Sequence, residues 1–324
     1  MGYQPYPYRR NGNNMGVIVA KTTKTKTKSK TTLKVAYNPK YTIAEYGFDT
    51  TRKAKWIANE LQNGAVPNSA IVDPASFIDR AKELIREIHS QDYVQALITG
   101  SPSILATSQG FSWDKGIWEM AVNSTAGVIA ATELALHEGA AGSLSSGLHH
   151  AHRDSGAGFC TINGLAVAAT HAKTLVDGRI AILDFDAHCG GGTHSLVKDD
   201  RQILHLDLST NGFDSYEPVG ENCLEIGNYS DDSYLEEVDE MLNRIPLDTG
   251  LLIYNAGMDP APMISGEALQ IREQRVATWA AERQIPAVFV LAGGYTWSMS
   301  QEELVELHLN TIEAFNQSLL VSNR

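Results

Sequence analysis

The chain is poor in cysteine: Cys160, Cys189 and Cys223 are the only three in 324 residues. That excludes a disulfide-built scaffold and suits a reducing compartment, so a cytoplasmic location is expected. No apolar run approaches the roughly 20 residues that a membrane span needs. The opening MGYQPYPYRRNGNN lacks the apolar region of a signal peptide, so secretion by that route is not expected. Acid is absent from the first 34 residues, which carry eight basic residues: Arg9, Arg10, Lys21, Lys24, Lys26, Lys28, Lys30 and Lys34. Of 26 basic and 38 acidic groups in the whole chain, the rest therefore holds 18 basic against 38 acidic, a net of −20. So acidic a body argues against nucleic acid as the main partner and agrees with a cationic substrate. What is present is ordinary globular material, 43% hydrophobic and 20% charged, in a chain long enough to bury a large core.

Residues 1–33 read as a low-complexity, basic, flexible tail. The run KTTKTKTKSKTT cannot bury enough apolar surface to offset the entropy of ordering it. It is either a solubilising tail or an electrostatic arm for an anionic surface. The folded domain takes up residues 34–324, beginning near Leu33. LKVAY (33–37), RIAILDFD (179–186), QILHLDLS (202–209), LLIYNAG (251–257) and AVFVLAGG (287–294) predict strands. Helices are predicted over 50–62, 74–90, 115–137, 163–176, 231–245, 268–284 and 301–318. Apolar strands alternating with helices predict a single α/β domain with a mostly parallel central sheet covered on both faces. Ligands of such sheets bind at the carboxyl ends of the strands, and polar residues gather there: Asp184, Asp186 and His188; Asn255 to Asp259; Gly293 to Tyr295.

The strongest local signal is DFDAHCGGGTH (184–194). Extended residues two apart point to one side, so Asp186 and His188 can face one ion, and a carboxylate with an imidazole suits zinc or another divalent transition metal. The plainer alternative is an Asp that caps a turn. Asp259, in NAGMDP, would be a third ligand and leave a position open, the layout of a catalytic site; here too a capping Asp is the alternative. His149 and His150 stand in tandem in GLHHAH, within a Gly-rich stretch, where one imidazole can stay neutral while its neighbour carries charge. Tyr295, in LAGGYTW, could donate a hydrogen bond to an oxyanion or be simply half-buried.

GLHHAH, GFC, DFDAH, NAGMDP and LAGGY, with IHSQDYVQAL (88–97) upstream, resemble in order and spacing the zinc-dependent histone deacetylase family. That family includes acetylpolyamine amidohydrolases and acetoin-utilisation proteins and has the arginase/deacetylase fold. The likeness covers about residues 34–318 and looks closest to class IV and its bacterial relatives. It implies zinc ligands Asp186, His188 and Asp259, with paired acid–base residues His149 and His150. Tyr295 would polarise the amide carbonyl. Asp184 would hold His149 and help bind a structural potassium ion, with backbone carbonyls around Asp186 and His188. Gly158 and Phe159 would line a tunnel for an acyl-lysine or other N-acylated amine, whether peptide or small molecule. Zinc, iron and cobalt all suit the same three ligands, and an oligomer is compatible with the family.

The chain departs from that pattern at Gly191, where members carry an Asn or Asp that accepts a hydrogen bond from the second tandem histidine. Its loss is expected to leave His150 less well oriented unless another group substitutes, which favours a rival reading: a weakly active or non-catalytic binder of acylated ligands. An ester or a different amide is a further alternative. Gly190 stands where the related binuclear ureohydrolases need an Asp, against a two-manganese site. Glu217, in GFDSYEPVGE, is expected to face the tunnel mouth and attract a cationic amine such as an acetylpolyamine; the alternative is a solvated loop glutamate.

Overall fold

The computed structural model describes residues 32–44 and 48–322. The tail reading of residues 1–33 falls almost wholly outside them. Eight strands, β1 (Leu33–Ala36), β2 (Ser69–Val72), β3 (Ala140–Ser143), β4 (Arg179–Asp184), β5 (Ile203–Ser209), β6 (Cys223–Ile226), β7 (Thr249–Ala256) and β8 (Ala287–Leu291), form one sheet in the order β2-β1-β3-β8-β7-β4-β5-β6. Every pairing is parallel.

The central strands are mostly apolar because both faces are covered. Successive side chains alternate between the faces. Leu183, Tyr254, Phe289 and Leu206 point to a core built with α1 (Asp49–Gln62), α8 (Asp231–Arg244), α9 (Gly266–Glu282) and α10 (Gln301–Ser322). Ile182, Ile253, Val288 and Ile203 point to the other core, built with α2 (Ile78–Ile88), α3 (Gln91–Thr99), α5 (Gly116–Glu138) and α6 (Gly164–Ala172). Two short helices, α4 (Ser103–Ala106) and α7 (Gly191–Val197), complete the set.

The expected strands and helices are present, with ends shifted by a few residues. The helix expected over 74–90 begins as a 3-10 turn, Ala75–Phe77, and stops at Ile88. The sequence reading passed over β2, β3, β6, α3, α4 and α7. Of these, β3 matters most, since it lies inside the sheet and feeds the tandem histidines. Its sequence is AAGS, which has no strand pattern. The reason is steric: a Cβ on Gly142 would lie 2.1 Å from the ring of Phe289 in β8.

Candidate active site

Four adjacent strands, β3, β8, β7 and β4, deliver residues to one place. Register aligns Asp184 with Asn255 of β7 and with Asp207 of β5. Just past these ends, Asp186 and His188 follow β4, Asp259 follows β7, Tyr295 follows β8, and His149 and His150 follow β3.

Asp186, His188 and Asp259 converge so closely that one ligand atom from each lies within 4.8 Å of the others. His188 Nδ1 is 3.2 Å from Asp186 Oδ1 and 3.1 Å from Asp259 Oδ2. The backbone holds the remaining carboxylate oxygens: Gly293 N–H donates to Asp186 Oδ2 at 2.7 Å and Ala187 N–H to Asp259 Oδ1 at 3.0 Å. Gly293 must be glycine, because a Cβ there would lie 2.2 Å from Asp259 Oδ2. That Oδ2 is buried, and its polar neighbour His188 Nδ1, at 3.1 Å, does not point a well-directed hydrogen bond at it; a bound cation would satisfy both groups. Burial opposes charge on His188, yet the two carboxylates raise it to about 10. Burial and the neighbouring Asp186 raise Asp259. The residues therefore fit a divalent ion bound by one imidazole and two carboxylates.

The tandem histidines are buried, with ring centroids 4.0 Å apart. His149 Nδ1 hydrogen-bonds Asp184 Oδ2 at 2.8 Å, and its Nε2 lies 3.5 Å from Asp186 Oδ1. Burial works against its charge, but Asp184 and Asp186 outweigh it and lift His149 to about 10. His150 moves the other way, to about 4, through burial and the neighbouring His149. Asp184 is itself locked by Asn255, whose Nδ2 donates to Oδ1 at 2.7 Å. Asn163 caps α6 and donates to the carbonyls of His149 and Ala151. Beneath them, His89 Nε2 accepts from Asn163 N–H at 3.2 Å. His89 of the upstream His-Ser-x-Asp-Tyr segment is thus a strut under the histidine loop.

The expected loss of a partner for His150 does not occur. Its Nδ1 pairs with Asp214 Oδ2 at 2.9 Å. The sequence reading missed Asp214 because it lies 64 residues away, in the loop after β5.

Tyr295 is buried, and burial together with Asp259 and Asp186 pushes its phenol far above the usual range. It stays protonated and so can donate a hydrogen bond. The segment that carries it is pinned to α1, since Asp49 Oδ2 accepts from Thr296 N–H at 2.8 Å and its hydroxyl at 2.7 Å. Around these groups stand aromatic rings. Phe159 stacks on Phe48 at 4.1 Å, Trp297 stacks on Tyr295 at 4.2 Å, and Phe213 meets the ring of His150 edge-on at 4.9 Å. Gly158 backs directly onto His150, where a Cβ would lie 2.4 Å from the ring. Phe213 and Trp297 are largely exposed, so the aromatic wall runs from the buried centre to solvent. Phe48, Phe213 and Trp297 carry no local motif and are recognisable only by these contacts.

Glu217 is exposed and makes no hydrogen bond or ion pair with the other site residues. Its neighbour Tyr216 turns inward, with its hydroxyl 3.2 Å from both His205 Nδ1 and Asp207 Oδ2. Asp184, His205 and Asp207 form a second cluster of ligand-type atoms. Burial and the nearby Asp184 raise Asp207 to about 7. Cys189 is buried, its thiol pushed up to about 12 mainly by burial; it is a small apolar residue here rather than a reactive thiol.

A histone deacetylase domain matches residues 48–312. An uncharacterized protein of Picosynechococcus sp. is 27% identical over 81% of this chain and 91% of its own length. Histone deacetylase 2 of Arabidopsis thaliana is 25% identical over 82% of this chain and 76% of its own length. The crystal structure of acetylpolyamine aminohydrolase from Burkholderia pseudomallei aligns with a TM-score of 0.69 at 20% identity, covering 88% of this chain and 98% of that one. The fold is thus the arginase/deacetylase fold, and the chain belongs to the histone deacetylase family, hydrolases of amide bonds.

Proposed function

We propose that this chain is a zinc-dependent amidohydrolase that removes an acyl group, acetyl foremost, from an N-acylated primary amine such as acyl-lysine or acetylpolyamine. The observation that carries the reading is the convergence of Asp186, His188 and Asp259 beside His149, His150 and Tyr295. A divalent ion held by those three ligands would supply Lewis-acid polarisation of the carbonyl and a low-pKa water.

The protein's own groups do the rest. The aliphatic stem of the substrate lies between Phe48, Phe159, Phe213 and Trp297, which exclude water. His150, depressed to about 4, is neutral at pH 7 and accepts the proton of the attacking water. It returns that proton to the leaving nitrogen, releasing a carboxylate and a free amine. His149, raised to about 10, stays cationic between Asp184 and Asp186 and steadies the developing negative charge. Tyr295 donates its phenolic hydrogen to the oxyanion.

Three further assignments belong to the proposal. A structural potassium ion beside Asp184 is supported by the paired buried carboxylates Asp184 and Asp207. Glu217 attracts the cationic end of the amine, in keeping with the acidic body. Residues 1–33 are a low-complexity basic tail that precedes a catalytic domain of 34–324, in a cytoplasmic protein. The rival reading of a non-catalytic binder rested on Gly191, and the Asp214–His150 contact supports the catalytic reading over it.

The test is turnover of fluorogenic acetyl-lysine and of acetylated polyamines by the zinc-loaded protein beside Tyr295→Phe. Turnover that collapses in the variant is the expected result. Equal rates in both, or activity indifferent to a chelator, would overturn the mechanism. A Glu217→Gln variant with unchanged acetylpolyamine turnover would remove Glu217 from the site.

A further inference from the structure

Gly191 and Asp214 occupy one space. A Cβ at position 191 would lie 2.3 Å from the backbone oxygen of Asp214, 2.5 Å from its Oδ1 and 2.7 Å from its Cγ. No side chain at 191 can coexist with Asp214 where it stands. The absence of a side chain at 191 and the presence of a carboxylate from 214 are therefore a single structural feature.

The loop is built to hold that carboxylate. Asp214 adopts a left-handed backbone, φ 60°, a conformation that Asp tolerates better than most residues but that still costs energy. Cys189 N–H donates to the carbonyl of Phe213 at 3.0 Å, and Asn211 Oδ1 accepts from Phe213 N–H at 2.9 Å. These bonds tie the loop to the residue that follows His188. Three donors then converge on Asp214. Its Oδ2 accepts from His150 Nδ1 at 2.9 Å and from Gly192 N–H at 3.1 Å, and its Oδ1 faces His152 Nε2 at 3.2 Å. His152 is in turn 3.1 Å from Ser195 Oγ through Nδ1. The carboxylate, with only 16% of its side chain exposed, is gripped from both ends.

We infer that Asp214 is the positioning residue for His150, supplied by the loop after β5 and admitted because residue 191 is glycine. This rests on the amidohydrolase reading above. An ionised carboxylate on Nδ1 fixes the proton there and leaves the Nε2 lone pair for the attacking water. When Nε2 takes the proton, the Nδ1 proton stays between the ring and Asp214, and the carboxylate stabilises the imidazolium without being protonated itself. Asp214 acts through His150 and does not touch the reacting atoms. His152 and Gly192 hold Asp214 in turn.

The experiment uses the full-length, zinc-loaded protein and two variants, Asp214→Ala and Asp214→Asn. Asp214→Ala is expected to lower kcat by about 10–100-fold, the usual effect of losing a partner that orients a site group, with KM and bound zinc unchanged. Asp214→Asn, which keeps an oxygen acceptor and the loop's shape but loses the charge that stabilises the imidazolium, is expected to fall between the parent and Asp214→Ala. A second readout needs no turnover: in [15N]histidine-labelled protein, the hydrogen-bonded Nδ1–H of His150 should be visible in the parent and in Asp214→Asn and lost in Asp214→Ala. An unchanged Nδ1–H signal in Asp214→Ala, or a kcat of Asp214→Ala within twofold of the parent, would overturn the inference. If no acylated amine is turned over by the parent but the Nδ1–H signal behaves as expected, the functional reading fails while the positioning of His150 by Asp214 stands.

Discussion

Replacing Arg272 with methionine tests how the loops that carry the proposed metal ligands are held. Arg272, on α9, is fully buried, yet its guanidinium reaches two loops distant in sequence. Nη1 donates to the carbonyl of Phe185 at 3.1 Å and to Tyr234 Oη at 3.0 Å; Nη2 donates to the carbonyl of Gly257 at 2.7 Å. Phe185 immediately precedes Asp186, and Gly257 lies two residues before Asp259. Nε donates to the buried Glu273 at 2.7 Å, which also accepts from Tyr254 Oη at 2.7 Å. The variant orphans two carbonyls, at about 1–3 kcal/mol each, and unpairs a buried carboxylate, where breaking a pair costs about 3–5 kcal/mol. Glu273 keeps its tyrosine donor and can take up a proton, and methionine fills much of the volume. The net loss is therefore about 5 kcal/mol, the low end of that sum, out of a total of about 5–15 kcal/mol for a folded protein. Urea unfolding should show a lower midpoint with an unchanged slope. Chelator competition should show zinc bound about 10–100-fold more weakly, as when groups that orient ligands are lost. Arg272→Lys should fall between the two, because one ammonium cannot span both carbonyls. A Met variant within about 1 kcal/mol of the parent and with equal zinc affinity would refute this bracing role.

Tyr295→Phe should lower kcat by about 10²–10³ with little change in KM, since the lost donor serves mainly the oxyanion; steady-state kinetics on an acetylated amine checks it. Asp259→Asn should abolish stoichiometric zinc, read by elemental analysis after dialysis, while circular dichroism stays that of the folded protein. Lys53, fully buried on α1, is lowered from 10.5 to about 8, chiefly by burial. Between these values the unfolded chain holds the proton that the native one has shed, so this residue makes stability rise with pH across that window. Its penalty is complete below about pH 8, where at about 1.4 kcal/mol per pH unit it amounts to about 3 kcal/mol. Lys53→Met should therefore be more stable than the parent at pH 7 by up to that amount, and the advantage should vanish by about pH 10.5 in parallel denaturation series. With His150 depressed to about 4 by burial and by His149, the acid limb of kcat/KM should lie below the ordinary histidine range of about 6.5. A limb at 6.5 would mean that His150 is not the base.

Much of this molecule is legible in its sequence for a physical reason: it is local. β4, β7 and β8 are unbroken apolar runs because both faces of the sheet are covered, and each ends in the polar residues that reach the site. Asp186 and His188 could be paired from spacing alone, because extended backbone repeats every two residues. The tandem histidines stand adjacent in the chain, so their coupling needed no fold to suggest it. Where a segment's character is set by its neighbours, the sequence is silent. β3 reads as AAGS because the Phe289 ring leaves no room for more, and α7 opens on glycines because Asp214 and the histidine loop crowd its start. The contacts that assemble the site join residues far apart: His150 to Asp214 across 64 positions, Arg272 to Phe185 across 87, and Thr296 to Asp49 across 247. Gly191 shows the division most sharply. Read alone, it is a missing hydrogen-bond partner. In the folded chain it is the space that another loop's carboxylate fills, because steric exclusion and hydrogen bonding act through space, and only the tertiary structure decides which distant residue arrives.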